Sequence, residues 1–178
     1  MPKAAVFPYK PIDYSTSIPL HSKAFQKILS FYLFEDPTKS TNRCTPLEKM
    51  DWNNPRRLSI LKKKLLDAAS SELRDHYHPS SKADLSILFD KERDAKPIEE
   101  YCIFLKNDSG EIKSLLSAIR NAFAHGGFDI REYTISKKKT RMYFLCNFDG
   151  YEKARIVLRE ETLLSWVDII RTGYHPRK

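Results

Sequence analysis

The chain has 178 residues, a net charge of +8 and 41% apolar content at a mean hydropathy of −0.53, enough for one globular domain with its own core. No apolar run approaches the ~20 residues of a membrane span, Pro2, Pro8, Pro11 and Pro19 interrupt any leader-like stretch, and Cys44, Cys102 and Cys146 form no C-x-x-C and cannot all pair, which reads as reduced thiols in a cytoplasm. The positive charge favours an anionic partner, nucleic acid before others, over a basic surface with no such partner.

Residues 1–19 are rich in Pro and Tyr and are expected to run extended over the surface, with Phe7, Tyr9 and Ile12 tucked in. A first helix is predicted from about Leu20 to Phe34, with Phe25, Ile28, Leu29 and Tyr32 buried and Asp36-Pro37 ending it. A polar loop follows, and Thr45-Pro46-Leu47-Glu48 has the box that starts a short helix. Asn54-Pro55 starts a long helix, predicted to reach Tyr77, with Leu58, Leu61, Leu65, Ala68, Ala69 and Leu73 inward. Its Lys62-Lys63-Lys64 run is a solvated face or an RNA-backbone patch. Asp75-His76-Tyr77-His78 lacks the i, i+4 spacing of helical metal ligands, so no metal is assigned. Ser80 to Lys91 is a short amphipathic piece, and Pro97 is predicted to open a helix with Ile98, Tyr101, Cys102 and Leu105 inward.

The most informative stretch is Asp108 to Phe128. Asp108 and Glu111 have the D-x-x-E spacing of a helix start, and Gly126-Gly127 of a helix stop. At about 100° per residue, Ile112, Leu116, Ile119 and Phe123 share one face, and Leu115 extends the apolar side. With Arg120 at zero, Asn121 and His125 fall at roughly +100° and +140°, stacked one turn apart. Ser114 joins them, Lys113 and Ser117 lie between them and Arg120, and Ala118 and Ala124 fill the rest. That polar face is short of long solvating side chains, so another surface can approach it closely.

After Gly127 the period changes. Phe128 to Ile135 reads as a strand, 136–140 as a basic turn, Arg141 to Phe148 as an apolar strand, Asp149-Gly150 as a hairpin turn, and Ala154 to Arg159 as a third strand. One face of this sheet is expected to be buried and the other basic. Glu160-Glu161 starts a last helix, with Leu163, Trp166, Val167 and Ile170 inward until Gly173. The fold class is α+β, mostly helical. It is read as a single domain over 1–178: an extended segment at 1–19, a helical core over 20–127, and a three-stranded antiparallel meander with a final helix over 128–172. No P-loop, G-x-G-x-x-G or G-x-S-x-G is present, and no cofactor is assigned.

Arg-x4-His alone recurs by chance roughly 0.3 times in such a chain, and Asn directly after the Arg cuts that to about 0.01. Ile119 to Gly126, I-R-N-A-F-A-H-G, resembles the signature of the HEPN superfamily, R-N-x3-H near the end of its last core helix. The following strands and the L-L-S-W-V-D-I-I helix resemble a bacterial branch often associated with plasmids or defence, a looser likeness over Leu105 to Ile170. The resemblance implies a helical bundle that dimerises. Many members are metal-independent endoribonucleases and toxins, and others have lost the motif and only bind. Both motif positions, Arg120 and His125, are intact here.

The residue types suit that chemistry. Cleaving RNA without a metal uses the neighbouring 2′-hydroxyl as nucleophile, with one group taking its proton, another protonating the leaving oxygen, and a cation steadying the phosphate. His125 suits proton transfer, Arg120 suits the phosphate, and Asn121 can orient His125 or hold a phosphate oxygen. Lys113 and Arg131 are the nearest RNA-binding candidates in sequence. One chain offers one motif histidine, so a homodimer would bring base and acid together. The other readings are that Arg120 and Asn121 cap helices while His125 faces the helix dipole, that the chain is a non-catalytic module binding RNA or protein, or that it is a dimeric regulator whose basic surface serves an acidic antitoxin.

Overall fold

The computed structural model describes residues 22–35, 37–38, 46–91, 99–135 and 137–175. The expected extended segment at 1–19, most of the polar loop after Pro37, and Pro97-Ile98 lie outside them. The elements are α1 (Lys23–Leu29), continued by a π-helical turn (Ser30–Glu35), α2 (Pro46–Lys49), α3 (Pro55–Asp67), a 3₁₀ turn (Ser71–Arg74), β1 (Tyr77–Ser80), α4 (Lys82–Lys91), β2 (Tyr101–Leu105), α5 (Glu111–Ala124), β3 (Phe128–Ile135), β4 (Lys138–Asp149), β5 (Tyr151–Arg159) and α6 (Glu160–Thr172). Among them no helix is long and apolar enough to cross a membrane.

Local chemistry sets several helix ends. The Asn54 side chain accepts from the Arg57 N–H at 3.0 Å, with Pro55 in the first turn. Ser22 caps α1 in the same way. Glu160 and Glu161 occupy the first turn of α6, and Gly173, at φ 78°, ends it.

The strands form one five-stranded mixed sheet in the order β1-β2-β5-β4-β3, with β1 parallel to β2 and every other pair antiparallel. This corrects two expectations. The three-stranded antiparallel sheet is part of a larger one, and the chain is not clearly a helical bundle. The helix expected after Pro97 is instead β2 over its described part. Tyr-Cys-Ile-Phe-Leu is a short continuous apolar run, and periodicity alone cannot separate a buried strand from a buried helix. Its residues split between two cores: Cys102 and Phe104 join the main one, Tyr101 and Ile103 the second.

The long helix stops at Asp67 rather than Tyr77 for a long-range reason. Glu100, fully buried, accepts the Ser70 N–H on one carboxylate oxygen and the Arg159 N–H on the other, each at 2.8 Å. That holds Ser70 extended and hands the chain on to β1, beside β2.

Among the described residues neither face of the sheet is an open basic surface, contrary to expectation. The main core packs α1, α3, α5 and α6 on one face; on the other, Leu85 and Phe89 of α4 close over Tyr101, Ile103, Met142, Phe144 and Val157. Arg155, of the third strand, pairs with Glu152 at 2.7 Å and lies 4.6 Å from the Phe89 ring centroid. Both tryptophans are fully buried and close helix ends: the Trp166 indole donates to the Leu65 carbonyl at 2.8 Å, and that of Trp52 to Ile170 at 3.1 Å.

Candidate active site

Helix α5 lies on the sheet with Ile112, Leu115, Leu116, Ile119 and Phe123 buried, as their spacing requires. Its start differs from expectation. The N-cap position is Gly110 at φ 95°, with no side-chain cap, so Asp108 is not the capping residue. The preceding loop is tied instead by Ser114, whose hydroxyl accepts from the Asn107 N–H at 3.0 Å and lies 2.7 Å from the Gly110 carbonyl.

The C-terminal end is what aims the motif. His125 is the C-cap residue. Gly126, at φ 69°, donates to Phe123 O at 3.4 Å, and Gly127 donates to Ala122 O at 2.8 Å. That is the paired hydrogen-bond pattern of a Schellman close, which needs a left-handed residue at Gly126. Gly127 then passes so near β4 that a Cβ on it would sit 2.2 Å from the Cys146 carbonyl oxygen, while the Cys146 N–H donates to Gly127 O at 2.7 Å. Gly-Gly therefore turns the chain from α5 directly into β3 and holds the end of the helix beside the end of β4.

The result is a shallow polar depression of about 220 Å³. Asn121 and His125 line it from α5, Asn147, Phe148 and Asp149 from β4, and Lys153 from β5. Arg120 does not line it but acts on it: its Nη1 donates to Asn121 Oδ1 at 3.0 Å. An amide oxygen taken up by a guanidinium leaves the amide N–H groups as what Asn121 can offer a ligand. His125 is exposed, and among the described residues its imidazole makes no hydrogen bond. Lys153 Nζ lies 2.5 Å from Asp149 Oδ2. The hydrogen bond from Lys153, with its charge, holds the Asp149 carboxyl below the usual carboxylate range, and His125 adds a smaller push the same way. The bond to Asp149 in turn raises Lys153, so the ammonium stays charged.

The two expected RNA-binding residues are not part of this assembly. Arg131 is a correction: its side chain is 5% exposed, its Nε bonds Asp129 Oδ2 at 2.7 Å, and its guanidinium lies 4.9 Å from the Phe144 ring centroid. It stands opposite Met142 on the face covered by α4, away from α5, and a side chain so enclosed cannot meet a phosphate. Lys113 lies twelve residues before His125, about 18 Å along the helix, and pairs with Glu48 at 3.6 Å. The small-residue face is also narrower than its spacing implies. Ser114 and Ala118 are buried within the chain, and Ser117 bonds Thr38 at 3.1 Å, so Ala124, His125 and Gly126 are its exposed part.

Asn147, Asp149 and Lys153 are the site residues that sequence reasoning missed. The Asp149-Gly150 turn was visible, but no local signal says that this hairpin returns to the end of α5. Among the described residues no group of three or more His, Cys, Asp or Glu side chains converges as metal ligands. No protein-family model, no curated protein and no solved structure matches this chain.

Proposed function

We propose that the chain is a metal-independent endoribonuclease that cleaves RNA by attack of the 2′-hydroxyl, a homodimeric toxin or phage-defence effector of the cytoplasm. One observation carries this reading above the others: Asn121 and His125, at the end of a helix whose apolar face is buried, open into a polar depression, and among the described residues the His125 imidazole makes no hydrogen bond.

In this reading His125 moves the proton. It is exposed, so substrate reaches it, and an imidazole can both accept and donate a proton. Arg120 orients Asn121, whose N–H groups then point to a phosphate oxygen, and its guanidinium charge steadies that phosphate. A second proton-transfer group comes from the His125 of a second copy, approaching at Ala124 to Gly126, where small residues leave room. The resemblance to the HEPN signature supports the same assignment.

The test is incubation of the purified protein with total RNA in excess EDTA. Fragments ending in 2′,3′-cyclic phosphate are expected. RNA that stays intact would overturn the nuclease reading and leave a module that binds RNA or a protein partner.

A further inference from the structure

We propose that Lys153 is a phosphate contact beside the motif residues: from the lining of the His125 depression it binds the backbone of single-stranded RNA next to the reacting group. This rests on the RNA-directed reading above and assigns a substrate contact that the motif does not contain.

The placement comes from an irregularity in the sheet. Asn147 pairs with Ala154, but the next residue, Phe148, pairs with Glu152. Lys153 is therefore the extra residue of a β-bulge, opposite the step between Asn147 and Phe148. Bulges re-aim side chains, and the Lys153 Nζ lies 5.6 Å from the Tyr151 ring centroid. Lys153 lines the depression with Asn121 and His125.

The chemistry fits an anion. The other side chains that line the space bring two carboxamides, an imidazole and a phenyl ring besides Asp149, so among the described residues Lys153 is the permanent cation of the lining. An ammonium has three donors, and Asp149 takes one of them. Asp149 is 78% exposed, whereas the Lys153 side chain is 29% exposed. The carboxylate thus braces the lysine from the solvent side, and an exposed pair of this kind holds an ammonium too weakly to withhold it from a phosphate.

The test is a salt titration of binding, with a fluorescent single-stranded 2′-O-methyl oligoribonucleotide that cannot be cleaved. A lysine that neutralises one phosphate of a single strand contributes about 0.7 to the slope of log K against log salt. Lys153→Ala is expected to lower the slope by about 0.7 and to weaken binding most at low salt, with unchanged melting. Lys153→Arg is expected to keep the wild-type slope. A Lys153→Ala protein that melts normally and keeps the full slope overturns the assignment, and so does wild-type protein that does not bind the oligonucleotide at all. Failure of the nuclease reading looks different: wild type binds with its Lys153-dependent slope yet leaves ordinary RNA intact in EDTA.

Discussion

Gly127 shows how one residue can place a site. Gly127→Ala would set a methyl group 2.2 Å from Cys146 O, so β4 and the helix end must part. Such overpacking costs about 1–3 kcal/mol, and each kcal/mol lowers the melting temperature of a chain this size by roughly 2–4 °C. Gly126→Ala has open space around its Cβ but sits at φ 69°, so its expected cost, about 1 kcal/mol, comes from the backbone alone. Thermal melts of the two variants check both values. Phe123 packs 6.0 Å from Tyr32, 5.3 Å from Phe128 and 6.4 Å from Tyr143 between ring centroids. Phe123→Ala is expected to cost about 3–5 kcal/mol, read by denaturant unfolding; a loss under 1 kcal/mol would mean the helix face is assigned wrongly. At this scale the motif was legible because helical spacing alone puts Asn121 above His125. Lys153 was not, because a bulge and a hairpin bring it there from 28 positions further along the chain.

Among the elements, α2 and α6 lie where the sequence places a short helix and a last one, and β2 falls where a helix is expected. Tyr101 to Leu105 is apolar at every position because two cores claim alternate residues. A period cannot appear in a strand with no solvent face. The early end of α3 was hidden for a similar reason: it depends on Glu100, thirty residues away. The join between α3 and α6 depends on Trp166, whose indole satisfies the Leu65 carbonyl near the end of α3. Trp166→Phe keeps much of the ring and removes the donor, leaving that carbonyl buried without it. A cost of about 1–3 kcal/mol is expected, seen as a shifted urea midpoint at unchanged m. An unshifted midpoint would show that the bond is dispensable.

For the whole molecule, the excess of basic residues is more tied down than composition implies. Of the lysine run on α3, Lys62 pairs with Glu111 and Lys64 lies 5.5 Å from the Trp52 ring centroid. Two of its three ammonium groups thus have partners within the chain, and the proposed function places RNA at the His125 depression instead. A dimer closing over Ala124 to Gly126 is expected; light scattering that shows a monomer at tens of micromolar, about the range for a stable interface, counts against a shared groove. Both the sheet and the burial of α5 leave His125 outside the core, so its loss should touch chemistry and not folding. The most direct measurement is the RNA cleavage rate of His125→Ala beside wild type in excess EDTA, with melting curves for both. The account predicts a fall of about 10²–10⁴ in rate at an unchanged melting temperature. Full cleavage by the variant, or a variant that fails to fold, would contradict it.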